Sequence, residues 1–231
     1  MILGGLRKIS LIDYPGEVGC TVFTRGCNFR CPWCHNKELV FGDSPNLNTE
    51  RFFDFLKKRK GKLEAVCITG GEPLIQKDIG DFIRKIKGMD YKIKLDTNGS
   101  FPTKLRDLIS ETLIDFVAMD IKSSPENYSR ETGKNLSLEK IRESIELIKS
   151  FDGKKEFRTT MVPTLSIKDM KSIAGMLGED QSLTLQKFKV PEGKELIDPN
   201  YKKKIKKTKG PDLEEIVLKL SPKLRKIEVR K

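Results

Sequence analysis

No apolar run in this chain of 231 residues approaches the length needed to cross a bilayer. The opening stretch, MILGGLRKISLIDYPGEV, lacks both a long apolar h-region and a small-residue cleavage site. A secretion signal is therefore not expected, and the cytoplasm is the expected compartment. Cysteine is sparse and odd in number, at five residues, which argues against a disulfide framework and for a reducing environment. Internal repeats and low-complexity linkers are also missing, so one continuous domain over residues 1–231 is the economical reading. Its core is expected at about 15–190. An extension at 191–231 would add a basic loop, a helix and a strand.

With 37% hydrophobic and 34% charged residues, the composition is that of a soluble globular chain. The formal charge is +12, which admits a nucleic-acid partner through phosphate contacts. Stretches such as LEKIRESIELIKSF favour a plainer origin, because lysine and glutamate alternate along solvated helix faces. The dense basic run YKKKIKKTKG (201–210) reads as a mobile solvated loop.

Short β-branched runs alternate with amphipathic helical segments. Strands are expected at 19–24, 64–69, 91–97, 115–121, 156–162 and 182–188, with a last one at 224–230. Helices are expected at 48–61 and 137–151, opened by Asn and Ser caps, and at 77–88, 167–177 and 211–220. About six β/α units result. A closed eightfold barrel usually needs about 250 residues, so a partial (β/α)6 barrel fits better. A doubly wound open sheet is the alternative.

Three of the five cysteines, Cys27, Cys31 and Cys34, fall in the loop CNFRCPWCHN after the first expected strand. A structural zinc site wants four protein ligands. A four-iron cluster wants one ligand per iron, so three thiols suggest a cluster with one iron left open. Zinc could still recruit His35, Cys20 or Cys67. His35 adjoins Cys34, however, and Cys20 and Cys67 lie in apolar strands, where a thiol is usually a small hydrophobe.

The C-x3-C-x-aromatic-C pattern, with Trp33 as the aromatic, resembles the signature of the radical S-adenosylmethionine (SAM) superfamily. The resemblance implies a single [4Fe–4S] cluster held by Cys27, Cys31 and Cys34. The amino and carboxylate groups of SAM would complete the fourth iron. Further motifs stand at expected strand ends. In TGGEP, Thr69, Gly70, Gly71 and Glu72 align with the motif that receives the SAM amino group. In LDTNGS, Asp96 and Asn98 would face ribose. In AMDIKSS, the pair Asp120 and Lys122 would face SAM or the target, although a surface ion pair is the plainer reading. Arg158 in FRTTMVP calls for a buried anion, and the SAM carboxylate is a reasonable one. Trp33 would lie near the adenine, and Gln186 is a weaker candidate at the last rim position.

From about residue 4 to 190 the chain resembles the activating proteins of glycyl radical enzymes, in particular those of anaerobic ribonucleoside-triphosphate reductase. That resemblance implies an oxidoreductase that cleaves SAM reductively to a 5′-deoxyadenosyl radical. The radical would take hydrogen from a glycine of a partner glycyl radical enzyme. A low-potential electron donor of flavodoxin or ferredoxin type is implied, and no membrane. A radical SAM enzyme acting on tRNA or a small nucleotide-like substrate is the alternative.

Overall fold

Strand residues alternate between two unlike faces, and that alternation builds the molecule. In Lys92–Thr97, Ile93 and Leu95 are wholly buried on one face, while Lys94 and Asp96 share the other. The computed structural model describes residues 1–206, 208 and 210–230. Its eight strands form one sheet in chain order: β1 (Leu3–Ser10), β2 (Gly19–Thr24), β3 (Ala65–Gly70), β4 (Lys92–Thr97), β5 (Phe116–Asp120), β6 (Lys154–Met161), β7 (Ser182–Lys187) and β8 (Lys226–Arg230). β1 runs antiparallel to β2, and every later neighbour pair is parallel.

Strictly sequential order means that each crossover steps the same way. A doubly wound sheet would reverse its order at a switch point, so this is a partial barrel. Its parallel run has seven strands, β2 to β8, the seventh being the last strand expected at 224–230. The antiparallel β1 is not among the expected strands; it carries adjacent Gly4 and Gly5, which weaken a strand pattern. Among the described residues β1 and β8 do not pair, and the sheet stays open.

Nine helices are described: α1 (Lys37–Phe41), α2 (Thr49–Arg59), α3 (Ile79–Lys87), α4 (Pro102–Ser110), α5 (Tyr128–Thr132), α6 (Leu138–Lys149), α7 (Ile167–Leu177), α8 (Tyr201–Lys206) and α9 (Leu213–Leu220). Their apolar stripes pack on the outer strand face, where Phe52, Phe82, Ile83, Ile145 and Ile173 join Ile68, Leu95 and Leu185. The inner face carries only a small separate cluster of Tyr14, Ala65, Phe116 and Ala118. Tyr14 stands edge-on to Phe116 at 5.6 Å. The rest of that face is polar, and a polar concave wall is where a ligand can bind.

The five expected helices are present within about two residues. Asn48 caps α2 by accepting from Arg51 N–H, whereas Ser137 stands before α6 without a side-chain cap bond. The expected solvated loop at 201–210 begins instead with α8, whose Tyr201 is buried. Lys207 and Lys209 of that run lie outside the described residues. No helix of the described residues is long and apolar enough to cross a membrane.

Candidate active site

At the carboxyl end of β2 the chain turns through Gly26 (φ +86°) into the three-cysteine loop, and the turn after β3 packs directly on it. Gly71 N–H donates to Thr24 O at 3.0 Å and Glu72 N–H to Gly26 O at 2.9 Å. A Cβ on Gly71 would sit 1.8 Å from Gly26 O. The glycine pair is thus required by backbone meeting backbone, a reason invisible in TGGEP alone.

The two turns border a cavity of about 260 Å³ at the carboxyl rim of the strands. Cys27, Cys31, Cys34, Trp33, Thr69, Gly70, Gly71, Glu72, Asp96, Asn98, Asp120 and Lys122 all line it. So do Gln186, Thr160 and His35. Cys20 and Cys67 are buried away from it as strand thiols. Of the residues expected to hold the cluster or SAM, Arg158 alone among the described residues does not line the cavity.

Arg158 finds its buried anions inside the chain. Its Nε donates to Asp120 Oδ1 at 2.8 Å and its Nη1 to Asp96 Oδ2 at 3.4 Å. Asp120 Oδ2 in turn accepts from Lys122 Nζ at 3.2 Å, and Asp96 Oδ1 from Lys94 Nζ at 2.6 Å. Five charges of alternating sign thus cross three strands, aligned because Asp120 and Arg158 are register partners. This replaces the expectation that Arg158 reaches a ligand carboxylate: two side chains of the protein already neutralise it. The Asp120–Lys122 pair is mostly buried rather than a surface pair. Burial alone would raise the Asp120 carboxyl, but the Arg158 and Lys122 cations outweigh it and hold it well below the carboxylate range. Lys122 Nζ also lies 5.3 Å from the centre of the Trp33 ring.

Glu72 is the opposite case. Burial pushes its carboxyl up to about 7, although Leu74 N–H, Thr97 Oγ1 and Asn98 N–H all donate to it. A carboxyl raised above its unfolded value destabilises the fold as pH climbs from about 4.5 to about 7, by about 3 kcal/mol in all. Below that window the group is neutral in both states and contributes nothing. Glu72→Gln is therefore expected to flatten the loss of stability between those pH values. Urea unfolding at stepped pH checks it, and an unchanged slope would contradict it.

Two elements that the sequence did not flag grip the thiol loop. From α5, Thr132 O accepts from Arg30 N–H at 2.7 Å, and the buried Glu131 accepts from Trp33 Nε1 at 3.2 Å. From the C-terminal side, Ile197 N–H donates to Cys34 O and Asp198 N–H to Pro32 O, each at 3.0 Å. No local motif marks these contacts, because their partners are distant in sequence.

The donor set fits an iron–sulfur cluster. Burial raises all three thiols, Cys27 to about 11 and Cys31 to about 12. They are neutral without metal and must shed protons to bind it. Among the described residues, no three His, Cys, Asp or Glu side chains meet at a point that would hold a single ion. A cubane instead takes each thiolate at a separate corner.

Residues 21–177 match the Radical SAM superfamily. The chain belongs to that superfamily. Radical SAM proteins use a [4Fe–4S] cluster together with SAM, and here Cys27, Cys31 and Cys34 are the thiols available for it. A Methanocaldococcus jannaschii protein provisionally named a glycyl-radical enzyme activating enzyme is 34% identical over 212 residues, covering 87% of this chain and 85% of its own. The 7-carboxy-7-deazaguanine synthase of Thermoplasma acidophilum is 32% identical over 109 residues, 47% of this chain and 49% of its own. Among solved structures, Streptococcus suis SuiB bound to S-adenosylmethionine superposes with a TM-score of 0.65 at 12% identity. That match covers 90% of this chain and 49% of SuiB, and it speaks to fold alone.

Proposed function

We propose that this radical SAM protein activates a glycyl radical enzyme, removing hydrogen from a glycine of that partner, as in anaerobic ribonucleotide reductase. The observation that carries the reading is the end-to-end likeness to the M. jannaschii activating-enzyme relative, which spans most of both chains. When bound and reduced, the cluster supplies the electron that cleaves SAM. The chain's own residues bind and orient. Asp96 and Asn98 offer polar groups at the β4 rim, and Asn98 is fixed by Asn28 and Ser100. Glu72 holds the β3 and β4 turns together through three accepted hydrogen bonds. Lys122 brings a positive charge, anchored by Asp120, to the cavity wall beside the thiols. Trp33, held by Glu131, closes one side against water. A low-potential flavodoxin or ferredoxin would serve as electron donor.

A second reading, action on tRNA or a small nucleotide, draws on the deazaguanine synthase likeness over about half the chain. Anaerobic incubation of the reconstituted protein with SAM, a reductant and anaerobic ribonucleotide reductase decides between them. The expected result is a glycyl radical signal in electron paramagnetic resonance that requires all components. SAM cleavage without that signal, stimulated instead by tRNA or a purine nucleotide, would favour the second reading.

A further inference from the structure

The segment that grips the thiol loop from the C-terminal side continues into a short helix with four exposed lysines. After Ile197 and Asp198 donate to Cys34 O and Pro32 O, Asp198 O accepts from Tyr201 N–H at 3.0 Å and starts α8. Asp198 Oδ2 also accepts from Lys204 Nζ at 2.8 Å. Tyr201 is buried against Phe188, with its hydroxyl 3.1 Å from Thr164 Oγ1. Lys194 and Lys37 clamp the same strap through Glu38 and Glu195. The helix is therefore fixed to the loop, and its six residues span about 9 Å.

Lys202, Lys203, Lys204 and Lys206 are all exposed on that short helix. Among the described residues only Lys204 has a carboxylate within ion-pair distance. Elsewhere lysines are paired routinely, as Lys60 with Asp90, Lys92 with Glu17 and Lys219 with Glu215. Lys202 and Lys206 stand four apart on one helix, an arrangement that costs stability. Lys204 pairs with Asp198, but Lys202, Lys203 and Lys206 have no carboxylate within ion-pair distance among the described residues. Lys187 and Lys189, on either side of the Phe188 that packs on Tyr201, line a groove that borders Trp33 and His35.

We propose that the lysine face of α8 is the docking surface for an acidic one-electron carrier protein that reduces the cluster. The inference rests on the superfamily's cluster chemistry and not on the identity of the hydrogen donor. Each reduction moves one electron from the carrier, which is oxidised, to the cluster, and no group or proton is transferred. An electron must enter close to the thiol loop, and α8 is the basic surface tied to that loop by backbone hydrogen bonds. Opposite charge on the carrier steers the encounter and makes the rate fall with salt. Nucleic acid would also be drawn to lysines, but it gains nothing from a surface fastened to Cys34.

The test compares the reconstituted full chain with a Lys202→Glu, Lys203→Glu, Lys206→Glu variant, and with the same three positions changed to Gln. Anaerobic stopped-flow follows cluster reduction by photoreduced flavodoxin and, separately, ferredoxin. Photoreduction with 5-deazaflavin, a small carrier needing no docking surface, serves as control. The expected result is a carrier rate about tenfold lower or more in the Glu variant, an intermediate rate in the Gln variant, and a wild-type rate that falls steeply with salt. Iron content and deazaflavin reduction should be unchanged. Equal carrier rates in all three proteins would overturn the proposal. So would an equal loss with deazaflavin, or failure of both carriers to reduce the wild type. Unchanged carrier rates with lost tRNA retention would make α8 a nucleic-acid surface instead. Scoring deazaflavin-reduced enzyme for the glycyl radical keeps the activation reading separate.

Discussion

Cys31→Ser is expected to abolish SAM cleavage, lowering 5′-deoxyadenosine formation at least about a thousandfold, or about 4 kcal/mol in barrier. Cys31 is the most buried of the three loop thiols, with 6% of its surface exposed. A serine there is a poor iron ligand, and the loop is held by Arg30 and Trp33 on one side and by Ile197 and Asp198 on the other. It has little freedom to bring in a substitute donor. Cys67 is also buried, but in β3, where it packs under Lys94 rather than in the cavity. Cys67→Ala should keep its iron, its sulfide and its activity. Iron and sulfide analysis beside product chromatography checks both. A Cys31→Ser protein that still cleaves SAM, or a Cys67→Ala protein that loses its cluster, would reassign the ligands.

Asp120→Ala is expected to destabilise the fold by about 3 kcal/mol, and Arg158→Met by only about 1 kcal/mol. The contrast follows from the alternating charges. Without Asp120, Arg158 keeps only the longer 3.4 Å contact to Asp96, and Lys122 keeps no anion on the strands. Without Arg158, Asp120 retains Lys122 and Asp96 retains Lys94. The pH dependence has a definite sign. The folded Asp120 carboxyl is depressed, so its contribution is present above the unfolded value of about 4 and is lost as pH falls below it. Asp120→Ala should therefore show a shallower acid limb than the wild type. Urea unfolding between neutral and acid pH measures both. A larger loss for Arg158→Met than for Asp120→Ala would rule out this pairing scheme.

Much of the fold was legible because its elements repeat a simple pattern. Phe82, Ile83 and Ile86 mark a helix face in 77–88, and the β-branched run at 64–69 marks a strand. Elements lacking such a pattern were missed. β1 carries two glycines directly after its first residue, Leu3, and α5 is five residues long and is held by its contacts to the thiol loop. The dense lysine run reads as a solvated loop, yet Tyr201 and Asp198 anchor a helix there.

By itself, the sequence determined which thiols are available to a cluster and which polar residues stand at the rim. Three thiols at fixed spacing and polar residues at successive strand ends are local facts, and local facts survive in a string of letters. Only the tertiary structure decided which partner each of those residues has. Arg158 turned to Asp96 and Asp120, Glu72 to the β4 turn, and the C-terminal strap to Pro32 and Cys34. Those contacts join residues far apart in the chain. They are set by strand register and crossover direction, which no short stretch of sequence encodes.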